Sequence, residues 1–313
     1  MPPSVDLKMD GRMYDPLIKE YRGKFGQGWT VGDIVAWVED IPPMPNIISR
    51  AIRLVDDIKT TPEELAEVIM LDPSLATPIM RAANSVKMGH QREVTTLALA
   101  ILVVGMGQIK TVLLASALRR WNGKFGRVER LVWEKSLGAA SAARVVCQQL
   151  DKNYRDELHL TGLLHNLGQI VLLSHKEVGD KYRGVLDSMG VCNEDFITAE
   201  REVIGFSHPL VGALVAWKWG FPQTMCKAIL HQADPLEEVA GEEQEKMGVL
   251  KLAIGAGLEC GLGRPEGFSV NLRTELEQLA GLVGFVPESV SNKLQTLIDE
   301  TKARFAADVG AYN

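Results

Sequence analysis

IPPMPNIISRAIRLVDDIKTTPEELAEVIMLDPSLATPIMRAANS, residues 41–85, carries the signals that decide the fold. The three prolines of IPPMP forbid the continuation of any helix that precedes them. Ile48, Ala51, Ile52, Val55 and Ile58 then recur at spacings of three and four, which places them on one side of a helix. Thr61-Pro62-Glu63-Glu64 and Asp72-Pro73 are two helix starts. Each sets a capping oxygen before a proline at the first helical position, where the missing N–H removes no helical bond. Pro78 falls inside the second of these helices and predicts a kink there. The closing AANS reads as a helix end with Asn84 suited to a left-handed cap.

The same helical spacing continues on either side. Upstream, Met13, Leu17, Tyr21 and Phe25 recur every fourth residue and predict an N-terminal helix. Thr30 and Asp33 form a capping box ahead of a helix bearing Val31, Ile34, Val35 and Val38. Downstream, Leu97–Leu118 is long and apolar, but Gly105, Gly107, Gln108 and Lys110 interrupt it, and charge at bilayer depth is costly. Two short buried helices joined at the glycines are expected rather than a membrane span. After Gly123 and Gly126, Val132, Ser136, Ala139, Ala140, Ala143, Val146 and Leu150 form a helical stripe whose small residues permit close helix approach. Further helices are expected at about 156–174, 176–189, 193–204, 208–219, 222–232, 246–262, 273–284 and 288–307, and the acidic segment 235–246 as an exposed connector. No alternating strand pattern appears, so the fold class is all-α.

Composition narrows the function classes. With 313 residues, 46% of them hydrophobic, the chain can bury a large core as one extended domain or two packed lobes. A formal net charge of −6 gives no global attraction to a phosphate backbone, and no basic run supplies a local one. Nucleic acid is therefore not an expected partner. Cys147, Cys192, Cys226 and Cys260 stand apart without a C-x-x-C pair, which fits a reducing compartment and buried apolar roles. MPPSVDLKMDGRMYD has no continuous apolar core of signal-peptide length, so a cytoplasmic location is expected.

Candidates for chemistry are few. The histidines are His90, His159, His165, His175, His208 and His231, of which His165 (GLLHNLGQ), His208 (GFSHPLVG) and His231 (AILHQ) stand in contexts that could converge. From pattern alone they read either as metal ligands or as caps and hydrogen-bonded core residues. There is no G-x-S-x-G, no glycine-rich phosphate loop after a strand and no H-E-x-x-H. Glu200 and Glu202 lie in a charged helix and are expected on a solvated face.

Taken in order, several segments resemble the HDOD family over about residues 30–262. IPPMPNIISRAIRLVDD is similar to the family's opening LPxLP element and first helix, and LAEVIMLDPSLATPIMRAANS to the helix that closes on alanine-asparagine-serine. LVWEKSLGAASAARVV, GLLHNLGQIVL and GFSHPLVGALVAWKWGFP follow in the family's order. The resemblance implies an all-α, multi-helix bundle like that of the HD superfamily, with an additional N-terminal helical lobe. The expected organisation is an N-terminal extension (1–29), an N-terminal lobe (30–125), an HD-related lobe (126–262) and a C-terminal extension (263–313).

Hydrolases of that superfamily hold one or two metals with a histidine on an early helix, an adjacent histidine-aspartate pair and a later aspartate. The metal activates water and neutralises phosphate charge. The resemblance maps these positions here onto Lys135, His165-Asn166 and Ile254, with His208 and His231 at positions of additional histidines and Gln232 in place of a further one. A protonated ammonium has no lone pair and an amide oxygen is neutral, so no metal and no cofactor are expected. The implied role is a non-catalytic output or scaffold module in bacterial signalling, acting on a protein partner. The vestigial cleft formed by Lys135, His165, Asn166, His208, His231 and Ile254 is a possible small-molecule site. The alternatives are a residual metal-dependent phosphohydrolase acting on a nucleotide or cyclic dinucleotide, and a small-molecule sensor.

Overall fold

The computed structural model describes residues 11–21, 25–26, 28–86, 94–121, 126–176, 178–189, 196–239, 242–264, 272–286 and 289–312. Among them every regular element is helical, with no strand. The first seven helices are α1 (Asp15–Ile18), α2 (Val31–Glu39), α3 (Asn46–Asp56), α4 (Pro62–Ile69), α5 (Pro73–Val86), α6 (Leu97–Val104) and α7 (Met106–Trp121). Next come α8 (Arg127–Gln149), α9 (Arg155–Leu164), α10 (Leu167–Ser174), α11 (Gly179–Met189), α12 (Phe196–Val203), α13 (His208–Lys218) and α14 (Gln223–Leu230). The last three are α15 (Glu242–Glu259), α16 (Arg273–Leu282) and α17 (Val290–Tyr312).

The helix starts follow the capping chemistry read from the sequence. Thr30 with Asp33, and Thr61 with Glu64, each form a reciprocal capping box. The Asp72 carboxylate accepts from the Ser74 backbone N–H at 3.1 Å at the start of α5, which runs on through Pro78. At the other end of α2, the Lys218 ammonium donates to the carbonyls of Val38, Glu39 and Ile41 at 3.1, 2.6 and 2.9 Å. A cation thus satisfies the acceptors left where the proline run halts the helix. Gly105, at φ +86°, separates α6 from α7, and the pair bends by 109°. Among the described residues no single helix is long and apolar enough to cross a membrane.

Three local expectations are corrected. The N-terminal segment is a 3-10 turn (Gly11–Tyr14) and the four-residue α1, not a helix reaching Phe25. Tyr21 and Phe25 reach the core from irregular chain with their rings 5.3 Å apart, so the four-residue period is met without continuous helix. Asn84 is not a left-handed cap. Its amide donates to the Met80 and Val94 carbonyls at 3.0 and 3.2 Å, and its oxygen accepts from the Val94 N–H at 2.9 Å. This clamps the chain entering α6 to the flank of α5. The acidic segment 235–246 is not all connector, because α15 already begins at Glu242. Glu245 there pairs with Lys152 and accepts from the Tyr154 hydroxyl, and Lys246 pairs with Glu157 at 2.6 Å.

The apolar interior forms two clusters that share α8. The first runs from Tyr14 to Leu230 and takes Val132, Trp133, Leu137 and Ala140 of α8. The second takes Ala142, Ala143, Val145 and Val146 and joins them to α15, α16 and α17. Fifteen of the 23 residues of α8 are buried, so it serves as the central post. Small residues let neighbours press against it: a Cβ on Gly162 of α9 would stand 3.0 Å from the Ala139 backbone, and one on Gly257 of α15 3.1 Å from that of Gly138. α17 packs on α5, α7 and α8, and its buried Asp308 accepts from Ser141 at 2.8 Å. Cys147 and Cys226 are buried and Cys260 is half-buried, while Cys192 lies outside the described residues.

Replacing the Asp72 cap by alanine removes an acceptor for an orphan N–H of α5. Asp72→Ala is therefore expected to cost on the order of 1 kcal/mol, read as a lower denaturant midpoint at unchanged slope. An unchanged midpoint would remove the cap from the account of this helix.

Candidate functional site

The site is assembled where α10 and α13 cross. A Cβ on Gly168 would lie 1.9 Å from the His208 carbonyl oxygen, and one on Gly212 2.9 Å from the Gly168 nitrogen. The two backbones touch, and neither position has room for a side chain. The contact seats His208, the first residue of α13, beside the His165-Asn166 turn. That turn breaks the helix expected over 156–174 into α9 and α10, and both of its side chains are fully buried.

His208 is fixed by a carboxylate. Its Nδ1 stands 2.9 Å from both oxygens of Glu200, its backbone N–H donates to Oε2 at 3.0 Å, and the Tyr182 hydroxyl donates to Oε1 at 2.5 Å. A ring nitrogen facing two carboxylate oxygens donates, so Glu200 fixes the orientation of the imidazole and leaves Nε2 on its far side. The expectation that Glu200 lies on a solvated face is wrong: it is fully buried, whereas Glu202 is exposed. The sequence carried the signal, since Glu200 stands four residues after the buried Phe196 and so shares its face.

His165 directs Nδ1 to the Gly162 carbonyl at 2.6 Å, and its Nε2 has no hydrogen-bond partner. Burial, and then the Lys135 ammonium, hold this imidazole well below its ordinary pKa, so it is neutral. Neither side-chain polar atom of Asn166 has a partner. Gln232 donates to the His165 carbonyl at 2.7 Å. His231 pairs with Asp234 at 2.7 Å and Glu20 at 3.4 Å, and the Asp234 carboxylate leads in raising its pKa. His159, bonded to the Ala140 carbonyl at 2.7 Å, and His175, whose ring lies 4.9 Å from that of Trp37, serve the packing. His90 lies outside the described residues.

Lys135, His208, His231 and Ile254 line one cavity of about 500 Å³. His165 and Asn166 are not on its wall. They sit behind it, joined to it through Gln232, which is. Sequence reasoning missed Tyr182 and Glu200 behind His208, and Arg201 and Lys251 on the wall.

Whether this set fits a divalent metal follows from its donors. It offers two imidazoles and an amide, faced by an ammonium, and the nearby Glu200 carboxylate is committed to His208. Among the described residues no group of three or more His, Cys, Asp or Glu is placed to hold a metal ion. Hard catalytic cations require anionic oxygen ligands, so the set does not fit one.

Residues 41–235 match the HDOD domain family, from the IPPMP element through His231. The chain belongs to the HDOD family. The match stops short of α15, so Ile254 and Lys251 stand outside it. An HDOD domain protein of Geobacter sulfurreducens superposes with a TM-score of 0.67 at 20% identity, over 88% of this chain and 98% of that one. A candidate phosphohydrolase of Shewanella amazonensis SB2B gives 0.64 at 22%, over 88% and 97%. A candidate signal transduction protein of Marinobacter aquaeolei VT8 gives 0.63 at 20%, over 99% and 68%. At these identities the likeness is one of fold. An uncharacterized protein of Treponema pallidum is 22% identical over 200 residues, which are 61% of this HDOD chain but 37% of that protein's length.

Two tests follow from the geometry. Gly168→Ala forces a methyl group into the α10–α13 backbone contact and is expected to cost about 3 kcal/mol or more in denaturant unfolding. A near-neutral effect would show that the crossing can open. The second test concerns pH. Burial lowers the pKa of His159 from 6.5 to about 3, and His165 shifts in the same direction. The unfolded chain therefore binds these protons first. Stability is complete above pH 6.5 and is lost as the pH falls toward the folded values. At pH 5 the loss from His159 is about 2 kcal/mol, and His165 adds a loss of the same sign. A midpoint that holds constant between pH 7 and 5 would contradict it.

Proposed function

We propose that this HDOD chain is a non-catalytic output module of bacterial signal transduction that works through contacts with a protein partner. The observation that carries the reading is the chemistry of the positions that the HD-superfamily resemblance assigns to metal ligands. An ammonium stands at Lys135, an amide at Asn166 and an aliphatic group at Ile254. A lysine there repels a divalent cation, and the two neutral groups remove the negative charge that would hold it. The Shewanella candidate phosphohydrolase shares the fold, but fold alone does not transfer an activity. The Marinobacter candidate signal transduction protein agrees with the signalling role. Exposed Met70, Leu71 and Leu102, around the packed α4 and α6, offer apolar surface of the kind that meets other proteins.

The competing reading is a residual metal-dependent phosphohydrolase, favoured by the carboxylate-backed His208 and the neutral His165, which a hydrolase would also need. One set of measurements separates the two. Protein purified without chelators is expected to contain no stoichiometric divalent metal and to leave bis(p-nitrophenyl) phosphate intact with added manganese. The variant Lys135→His/Asn166→Asp/Ile254→Asp adds two carboxylates and removes an ammonium, and is expected to bind manganese more tightly in calorimetry than the parent. Each single change should do much less, because ligands of one ion act together. Near-equimolar metal that disappears in His165→Ala or His208→Ala, or manganese-dependent hydrolysis by the parent, would overturn the proposal.

A further inference from the structure

We infer that the cavity beside the N-terminus of α13 binds a small amphipathic anion: a carboxylate or phosphate headgroup held by Arg201, Lys135 and Lys251, on an aliphatic body held by the facing leucines. The inference rests on reading that cavity as non-catalytic, and adds to it the class of molecule the cavity takes.

Size comes first. A space of about 500 Å³ is in the range that encloses a small organic molecule. Its lining mixes two chemistries. Lys135 comes from α8, Arg201 from α12 and Lys251 from α15, so three helices bring cations to one space. Ile254, Leu258, Leu272, Leu276 and Leu279, with Phe196, line the same cavity. Aliphatic groups dominate this apolar lining, which suits a chain better than a stacked base.

Cations outnumber carboxylates on the wall, where Asp234 is engaged by His231 at 2.7 Å and Glu275 is exposed. Lys251 donates to the carbonyls of Gln232 and Asp234 at 2.8 and 2.6 Å, and the Asp234 and Glu237 carboxylates also act on its charge. Among the described residues no carboxylate pairs with Arg201, and its Nε is buried with no hydrogen-bond partner. A guanidinium edge is a planar fork matched to an oxyanion, and a buried N–H without an acceptor is costly. A headgroup seated there removes that cost. Ser207 lines the same cavity at the start of α13 without capping it.

The test titrates the full-length chain with decanoate, decyl phosphate and decanol in the presence of EDTA, by calorimetry and thermal shift. At least one anion is expected to bind one site per chain at least tenfold more tightly than decanol and to raise the melting temperature. Which anion binds better identifies the headgroup, carboxylate or phosphate. Arg201→Gln is expected to reduce that preference for charge to threefold or less, while Arg53→Gln on the exposed side of α3 leaves it intact. Should Arg201→Gln not fold, Lys135→Met is the second variant, with the same expectation. The inference is overturned if neither anion binds at millimolar concentration, if decanol binds equally well, or if the folded variants keep the parent's affinity. Because the chelator removes metal, these outcomes are independent of the hydrolysis assay: a metal-dependent activity would end the non-catalytic reading without altering an anion measured here.

Discussion

The backbone contact between Gly168 and Gly212 is the constraint on which the rest of the site depends. With no side chain between them, α10 and α13 approach until the Gly168 position nearly touches the carbonyl of His208. That approach aligns the first turn of α13 with the break between α9 and α10, and so brings a carboxylate-bound imidazole beside a neutral buried one. It also explains why α12 must lie where it does. Glu200 can reach both the backbone N–H and the Nδ1 of His208 only if the chain turns sharply after Val203, and Gly205 at φ +93° makes that turn. The Gly26 N–H donates to the Gly205 carbonyl at 2.7 Å and ties the N-terminal segment to the same turn.

Where the sequence was readable, the reason was local chemistry. Thr30, Thr61 and Asp72 announce helix starts through bonds made within three residues, which no tertiary context needs to complete. The small residues of α8 likewise announced close packing, since a stripe of glycine and alanine has few other uses in a buried helix. Asn84 failed for the opposite reason. Its amide serves Val94, ten residues away, and that partner cannot be read from AANS itself. Met13, Leu17, Tyr21 and Phe25 failed because a period of four is also satisfied by an irregular chain that places two aromatic rings side by side. Within the site, His165 and His208 stood out by residue type, whereas Arg201 and Lys251 looked like surface charge until the fold brought them to one cavity.

Electrostatics shows how poorly the site suits a divalent cation. The Lys135 ammonium is felt by His165, whose imidazole stays neutral under both burial and that charge. Arg201 and Lys251 line the same cavity, so three cations meet there although the chain as a whole carries −6. A local cluster of this kind is invisible to net charge and arises only from convergence of distant residues. α8 anchors the arrangement: it carries Lys135, and one apolar cluster buries its first part while a second buries its last turns.

Asn166 ties these arguments together. Its two polar side-chain atoms are buried and unpartnered, and each such group costs roughly 1–3 kcal/mol. A leucine of similar volume would avoid that cost, so stability alone does not account for the amide. An aspartate at the same place would be worse, because a fully buried carboxylate without a metal or a directly paired cation bears an ionic desolvation penalty several times larger. Asparagine keeps the shape of the carboxylate and discards its charge. The same logic applies across the cavity at Ile254, where an apolar side chain keeps the wall filled without an ion to balance. Neither position adds a carboxylate to the site. The amide at Asn166, the aliphatic group at Ile254 and the lysine at 135 are thus mutually consistent, since none of them leaves a buried carboxylate to be balanced.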